Sequence, residues 1–165
     1  MRILLIGILI SNVFIVSGQT IKEKSFDKMV DNLIAHSVPE KSIEDILNDT
    51  ISVLLDARAL NEYKVSHIKN SHWVGYDDFD LSRVNALSKD QPIIVYCSVG
   101  YRSEKIAEKL KSAGFTQVYN LVGGIFDWVN SGYTVMDSLE SQTENVHAFS
   151  RLWGLWLSRG KKIYD

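Results

Sequence analysis

The sequence has a single cysteine, a net charge close to zero and no internal repeat or low-complexity segment. One cysteine excludes a disulfide within the chain, so Cys97 cannot be part of a structural bridge. A formal charge of −2 over 165 residues gives no electrostatic reason to expect nucleic acid as a partner. Neither His67 nor His72 has a second His or Cys at metal-ligand spacing, so we predict no metal site. The length and the 45% hydrophobic content fit one domain with a substantial core.

Cys97 ends an uncharged, β-branched and aromatic segment at residues 93–96, which is typical of a strand buried on both faces of a parallel sheet. Arg102 follows after four intervening residues, and a helical pattern begins at Ser103. The thiol therefore lies at the carboxyl edge of the sheet, where open α/β folds bind ligands. Backbone N–H groups of such a loop, together with Arg102, favour a thiolate. We predict a cysteine nucleophile in an anion-binding loop, although a small apolar residue that closes a strand would also suit this position.

A second apolar segment, residues 51–55, ends at Asp56 and predicts another strand of the same sheet. Asp56 and Arg58 then lie at the same edge as Cys97. These two residues either contact substrate or hold the loop in place. An acidic and a basic residue beside a loop more often pair to hold it, so we favour the second role. Glu62 is the predicted partner of Arg58.

Three motifs resemble the rhodanese family of sulfurtransferases. The first, Cys97-Ser98-Val99-Gly100-Tyr101-Arg102-Ser103, is similar to the family's active-site loop. The others are Asp56-Ala57-Arg58 with Glu62-Tyr63 and Ser66-His67-Ile68, and Gly123-Gly124-Ile125 followed by Trp128. The resemblance extends from about Val38 to Val135.

This resemblance implies a single α/β domain with a central, mostly parallel five-stranded sheet flanked by helices. It implies sulfurtransferase activity through a persulfide on Cys97, with a small anionic donor such as thiosulfate and cyanide or a small-molecule or protein thiol as acceptor. No cofactor is required, because the cysteine itself carries the sulfur. Asp56 and Arg58 support the loop, and the implied substrate-binding residues are Ser98, Val99, Gly100, Tyr101 and Arg102.

Two other functions remain open. A cysteine phosphatase has five residues between its cysteine and arginine, and it needs a general acid that is not evident beside this loop. A binding module with an idle Cys97 is the other alternative. His67 or His72 could act as the base of a cysteine dyad. However, the resemblance places His67 in a structural turn, and we interpret both as hydrogen-bonded loop histidines.

The N-terminal residues resemble a targeting segment: Arg2 precedes an apolar stretch at 3–16, and small residues end at Gly18. We predict a signal peptide over 1–18 and export to the periplasm or the medium, with an uncleaved anchor as the alternative. Residues 19–37 should form an amphipathic helix capped by Ser25, and residues 38–136 the rhodanese-like domain.

Residues 137–165 should form a helical extension, because apolar residues recur at helical spacing from Phe149 to Leu157. Tryptophans beside basic residues would also suit contact with a membrane surface. The narrow apolar stripe favours docking on the domain instead.

Overall fold

The computed structural model describes residues 21–165, so the predicted signal peptide over 1–18 lies outside the described residues. The helices and strands follow in this order: α1 (Ile21–Leu33), β1 (Glu40–Lys41), α2 (Ile43–Leu47), β2 (Val53–Asp56), α3 (Leu60–Val65), β3 (His72–Trp73), β4 (Ile93–Tyr96), α4 (Tyr101–Ser112), β5 (Val118–Leu121), α5 (Gly124–Asn130), β6 (Val135–Met136), β7 (Gln142–Thr143), β8 (Asn145–His147) and β9 (Lys161–Ile163). Short 3₁₀ helices occupy Leu81–Val84 and Trp153–Trp156. Within 21–165, no helix is both long and apolar enough to cross a bilayer.

Five strands form one parallel sheet in the order β1-β5-β4-β2-β3, with β4 at its centre, which confirms the predicted fold. All four residues of β4 are buried. Alternate side chains of a strand point to opposite faces, so Ile94 and Tyr96 pack in the core on the α1 and α5 side. Ile93 and Val95 pack in the core on the α4 side. The uncharged sequence of this strand therefore follows from its burial on both faces.

Local sequence signals account for most of the helices. Ser42 and Asp45 have the spacing of a capping box in the sequence, and they form one at the start of α2. Gly114 follows the end of α4 with φ +92°, as expected of a residue after a helix C-cap. The apolar face predicted for α1 is buried at Phe26, Val30 and Ile34. Ser25 is not its N-cap, because the helix already includes Ile21.

The predicted C-terminal helix is wrong, although the segment does dock on the domain. Residues 145–163 form the parallel pair β8–β9 joined by a short 3₁₀ helix. Leu157 and Val146 are fully buried in the main core. A helix is prevented by strand pairing at Lys161 and by Phe149, whose φ of +62° lies outside the helical region.

Candidate functional site

Cys97 lies in the loop between β4 and α4, at the carboxyl edge of the sheet. Its exposed fraction is only 1%. The Gly100 N–H donates a hydrogen bond to Cys97 Sγ at 3.2 Å. Gly100 takes φ +118°, and α4 begins one residue later, at Tyr101 rather than at the predicted Ser103. The thiol therefore faces the first turn of a twelve-residue helix, where the backbone carries partial positive charge.

The Gly100 carbonyl group is fixed on the other side of the loop by buried polar side chains. Asn120 Nδ2 donates to the Gly100 carbonyl oxygen at 3.1 Å. Ser103 Oγ lies 3.0 Å from the same oxygen and donates to Asn120 Oδ1 at 2.7 Å. Asn120 and Ser103 are both fully buried. Since the carbonyl is engaged on this side, the loop keeps its conformation without a ligand.

The start of α5 holds the loop from a third direction. The Ile125 N–H donates to the Cys97 carbonyl at 2.9 Å, and the Phe126 N–H donates to the Ser98 carbonyl at 3.1 Å. Gly124 makes this close approach possible, because a Cβ built there would lie 2.3 Å from the Cys97 carbonyl oxygen. Its φ of +54° also disfavours any other residue. The Gly123-Gly124 motif thus has a direct role in shaping the cysteine loop.

Arg102 is held by Glu62. Its Nη1 donates to Glu62 Oε2 at 2.6 Å and its Nη2 to Glu62 Oε1 at 2.8 Å. Nη2 also donates to Ser98 Oγ at 3.0 Å. The Glu62 side chain is 2% exposed and that of Arg102 16%. The guanidinium that sequence analysis assigned to an anionic donor is therefore already paired with a carboxylate.

Both members of this pair are charged at neutral pH. Burial acts to raise the pKa of Glu62, but the hydrogen bonds and charge of Arg102, with the charge of Arg58, hold that pKa below its ordinary value. Burial acts to lower the pKa of Arg102, whereas Glu62 and the nearby Cys97 sulfur raise it. The pair therefore adds no net charge to the site.

Asp56 and Arg58 lie in the interior beneath the loop rather than facing the pocket described below. The predicted partner of Arg58 is wrong: the guanidinium binds Asp56, with Nη2 2.6 Å from Oδ2, and both side chains are fully buried. Arg58 Nη2 also donates to the Ser66 carbonyl at 2.6 Å. Asp56 is two residues away, so a turn brings the two groups together without help from Glu62. The pair ties β2 to the segment that follows α3.

A pocket of about 310 Å³ opens beside Cys97. Three parts of the chain surround it: the cysteine loop, the end of α1 and the C-terminal segment. Its lining residues are Leu33, Cys97, Ser98, Val99, Tyr101, Arg102, Phe149 and Trp153. Among these lining residues, Arg102 alone carries a charge. The Phe149 ring covers the guanidinium at 5.2 Å from its centroid. The pocket is therefore apolar and larger than an inorganic sulfur donor requires.

Neither His67 nor His72 lines the pocket beside Cys97. The His67 ring stacks on Tyr63, with ring centroids 4.1 Å apart, and its nitrogens contact the Tyr63 carbonyl and Glu140. The backbone of His67 pairs with Met136 through two hydrogen bonds of 2.8 Å. His72 is an exposed residue of β3. In the described part of the chain, no three His, Cys, Asp or Glu side chains form a group that could hold a metal ion.

The structure brings Cys97, Ser98, Val99, Tyr101 and Arg102 together around one pocket and places the Gly100 amide against the sulfur. The buried residues that support this loop and the distant residues that line the pocket were not predicted from the sequence. Asn120 had a signal, since it is a polar residue within an otherwise apolar strand. No sequence pattern marked the three distant lining residues, because only the fold brings them to the loop. These residues are Leu33, Phe149 and Trp153.

Comparisons with known proteins agree with this geometry. The chain is 34% identical over 98 residues to the protein named "Putative sulfur carrier protein YrkF" of Bacillus subtilis (strain 168), covering 57% of this chain and 52% of that protein. It is 33% identical over 91 residues to tRNA uridine(34) hydroxylase of Enterobacter sp. (strain 638), covering 52% of this chain and 26% of the relative. The chain thus spans between about a quarter and a half of the length of these curated relatives.

Solved structures share the fold. The BH2092 protein of Bacillus halodurans superposes with a TM-score of 0.57 at 25% identity, over 70% of this chain and 86% of that one. The rhodanese-like domain of the Anabaena sp. Alr3790 protein gives the same TM-score at 24% identity, over 63% of this chain and 83% of that one. The family model of the rhodanese-like domain matches residues 40–131, which is more than half of the chain. With the cysteine loop, the parallel sheet and this match in agreement, the chain belongs to the rhodanese-like domain family.

Proposed function

We propose that the protein is a sulfurtransferase that moves sulfane sulfur from a donor to a thiophilic acceptor through a persulfide on Cys97. The observation that carries the proposal is the placement of Cys97. The thiol faces a rigid loop at the start of α4, accepts a hydrogen bond from Gly100 and opens on a pocket. The family membership and the sulfur-carrier name of one relative support the same chemistry.

The reaction consists of two displacements. The Cys97 thiolate attacks the outer sulfur of a donor such as thiosulfate. The sulfur–sulfur bond of the donor breaks, its electron pair leaves with sulfite, and Cys97 becomes a persulfide anion. An acceptor such as cyanide then attacks the outer sulfur of the persulfide, and thiocyanate and the Cys97 thiolate result. The Gly100 N–H, already aimed at Cys97 Sγ, stabilises the thiolate that attacks the donor and that is regenerated by the acceptor.

The charge state of the site argues against a phosphatase. Such an enzyme needs a protonated group to donate to the leaving oxygen. Glu62, the carboxyl group that contacts Arg102 and Ser98, is held ionised by its partner, and the pocket lining contains no carboxyl group. The arginine is also occupied and does not offer its full charge to a phosphate.

The proposal is tested by intact mass spectrometry of the full-length chain. Incubation with thiosulfate, or with inorganic polysulfide, should add one sulfur atom, and cyanide should remove it as thiocyanate. The Cys97→Ser variant, which retains the loop, should gain nothing. A folded wild-type protein that acquires no sulfur from either donor or from an organic persulfide would refute the proposal and favour the binding module.

We propose in addition that the protein is exported to the periplasm or the medium. The basis is the targeting pattern at residues 1–18. N-terminal sequencing of protein from the native cells should give a chain that begins at or near Gln19. Full-length chain recovered only from the cytosol would refute export.

A further inference from the structure

Three apolar side chains from outside the cysteine loop complete the pocket beside Cys97. Leu33 comes from the end of α1, and Phe149 and Trp153 come from the C-terminal segment. Phe149 is held there at φ +62°, with its N–H donating to His147 Nδ1 at 3.2 Å. This region of backbone conformation is unfavourable for a residue that has a β-carbon. The hydrogen bond to His147 therefore helps to hold the Phe149 ring at the rim of the pocket, although the backbone conformation of Phe149 is unfavourable.

The position of α1 is equally fixed. The buried carboxylate of Glu104, on α4, accepts the N–H of Ala35 at 2.9 Å and that of Ser37 at 2.8 Å, just beyond α1. These bonds hold the end of α1, and with it Leu33, beside the helix that follows the cysteine loop. Hydrogen bonds to buried side chains therefore hold the end of α1 in place, as they hold the cysteine loop.

Charge gives a second, independent observation. Arg102 is the charged residue of the lining, and it is bound through two hydrogen bonds to Glu62 while Phe149 covers it. A dianion that enters the pocket meets a neutralised cation and apolar walls, so it would lose hydration with little return. An uncharged apolar group loses nothing comparable and gains from burial.

We infer that the physiological sulfur partner of this site is an organic thiol with an apolar substituent, together with its persulfide. This inference rests on the proposed function. The thiolate RS⁻ attacks the outer sulfur of the Cys97 persulfide. A new sulfur–sulfur bond forms in RSS⁻, the original one breaks, and its electron pair returns to Cys97 as the thiolate. The reverse reaction loads Cys97 from the persulfide, so one pocket serves both directions while R lies against Leu33, Phe149 and Trp153.

The test measures discharge of the preloaded enzyme. The full-length protein is loaded with inorganic polysulfide, which has no substituent to bind, and loading is verified by release of thiocyanate with cyanide. Three thiols then compete as acceptors: apolar 2-phenylethanethiol, neutral polar 2-mercaptoethanol and dianionic mercaptosuccinate. Each second-order rate is divided by that of the same thiol with glutathione persulfide, which removes differences in intrinsic reactivity.

After this correction, 2-phenylethanethiol should react about tenfold faster than 2-mercaptoethanol, and mercaptosuccinate no faster than 2-mercaptoethanol. Phe149→Asn should lower the preference to about threefold, since asparagine tolerates φ above zero but offers no apolar surface. Leu152→Asn is the matched control: it makes the same kind of change at a residue that is 72% exposed and outside the lining, so the preference should persist.

The inference would be overturned by equal corrected rates for the three thiols, or by a folded Phe149→Asn protein that keeps the full preference for 2-phenylethanethiol. In either case, discharge of the persulfide by cyanide would still support the proposed function. Failure of polysulfide, thiosulfate and the persulfide of 2-phenylethanethiol to load Cys97 would instead refute the proposed function itself.

Discussion

Replacement of Glu62 by glutamine should release the positive charge of Arg102 into the pocket. In the wild-type protein the carboxylate accepts Arg102 hydrogen bonds of 2.6 and 2.8 Å and is 2% exposed. Glutamine can accept one of these bonds, but its amide group would face the guanidinium at the other. Removal of one partner of a buried ion pair typically costs about 3–5 kcal/mol. Because Arg102 is partly exposed and can turn towards water, we expect about 3 kcal/mol of lost unfolding free energy.

The chemical consequence is measurable with two alkylating agents of the sole cysteine, anionic iodoacetate and neutral iodoacetamide. The ratio of their rates reports the electrostatic potential at Cys97 and does not depend on the identity of the sulfur donor. A charge-assisted hydrogen bond contributes about 1.5–3 kcal/mol, or about ten- to a hundredfold. With Arg102 partly solvated, Glu62→Gln should raise the iodoacetate-to-iodoacetamide ratio by about tenfold at low salt, and less at high salt.

Two further variants make this prediction decisive. Glu44→Gln changes the net charge equally at an exposed residue of α2 and should leave the ratio unchanged. In the double variant Glu62→Gln/Arg102→Met the freed cation is gone, so the ratio should return to the wild-type value. A folded Glu62→Gln protein with an unchanged ratio would show that pairing with Glu62 does not neutralise Arg102, and the argument from charge would fail.

Two other predictions concern the stability of the site. In chemical denaturation, Gly124→Ala should lower the unfolding free energy by more than Gly114→Ala. Both positions have φ above zero, but only at Gly124 would the new Cβ meet backbone, 2.3 Å from the Cys97 carbonyl oxygen. Equal losses of unfolding free energy would show that the loop moves to relieve the contact. The folded-state pKa values of Glu62 and Glu104 lie below the ordinary glutamate value, so their stabilisation is complete above about pH 4.5 and is lost as the pH falls through the folded values. Urea unfolding free energies should therefore drop below pH 4.5, and Glu62→Gln should show a smaller drop; an identical acid profile in that variant would contradict the assignment.

Features that depend on neighbouring residues were predictable from the sequence. Three local patterns correspond to elements of the structure. They are the uncharged segment at 93–96 for β4, the capping box of Ser42 and Asp45 for α2, and the two glycines at 123–124 for the turn into α5. In each case the cause is local: a strand buried on both faces excludes charge, and a sharp turn requires glycine.

Features decided by distant contacts were not predictable. The apolar spacing from Phe149 to Leu157 suggested a helix, but pairing of β9 with β8 takes the chain away from that conformation. Glu62 lies four positions after Arg58, a spacing suited to a helical ion pair, yet in the fold Glu62 pairs with Arg102 and Arg58 pairs with Asp56. Tertiary packing chose among partners that the sequence pattern treated as equivalent.

Part of the pocket around the reactive thiol is supplied by residues from outside the loop that carries it. The loop lies inside the matched range 40–131, whereas Leu33, Phe149 and Trp153 lie on either side of it. Substitutions in the flanking segments can therefore reshape the enclosure while the loop is inherited unchanged. Evolution, or a protein engineer, could retarget this domain by exchanging its two ends. For the same reason, sequence similarity confined to residues 40–131 indicates which reaction the loop performs but says little about which molecule receives the sulfur.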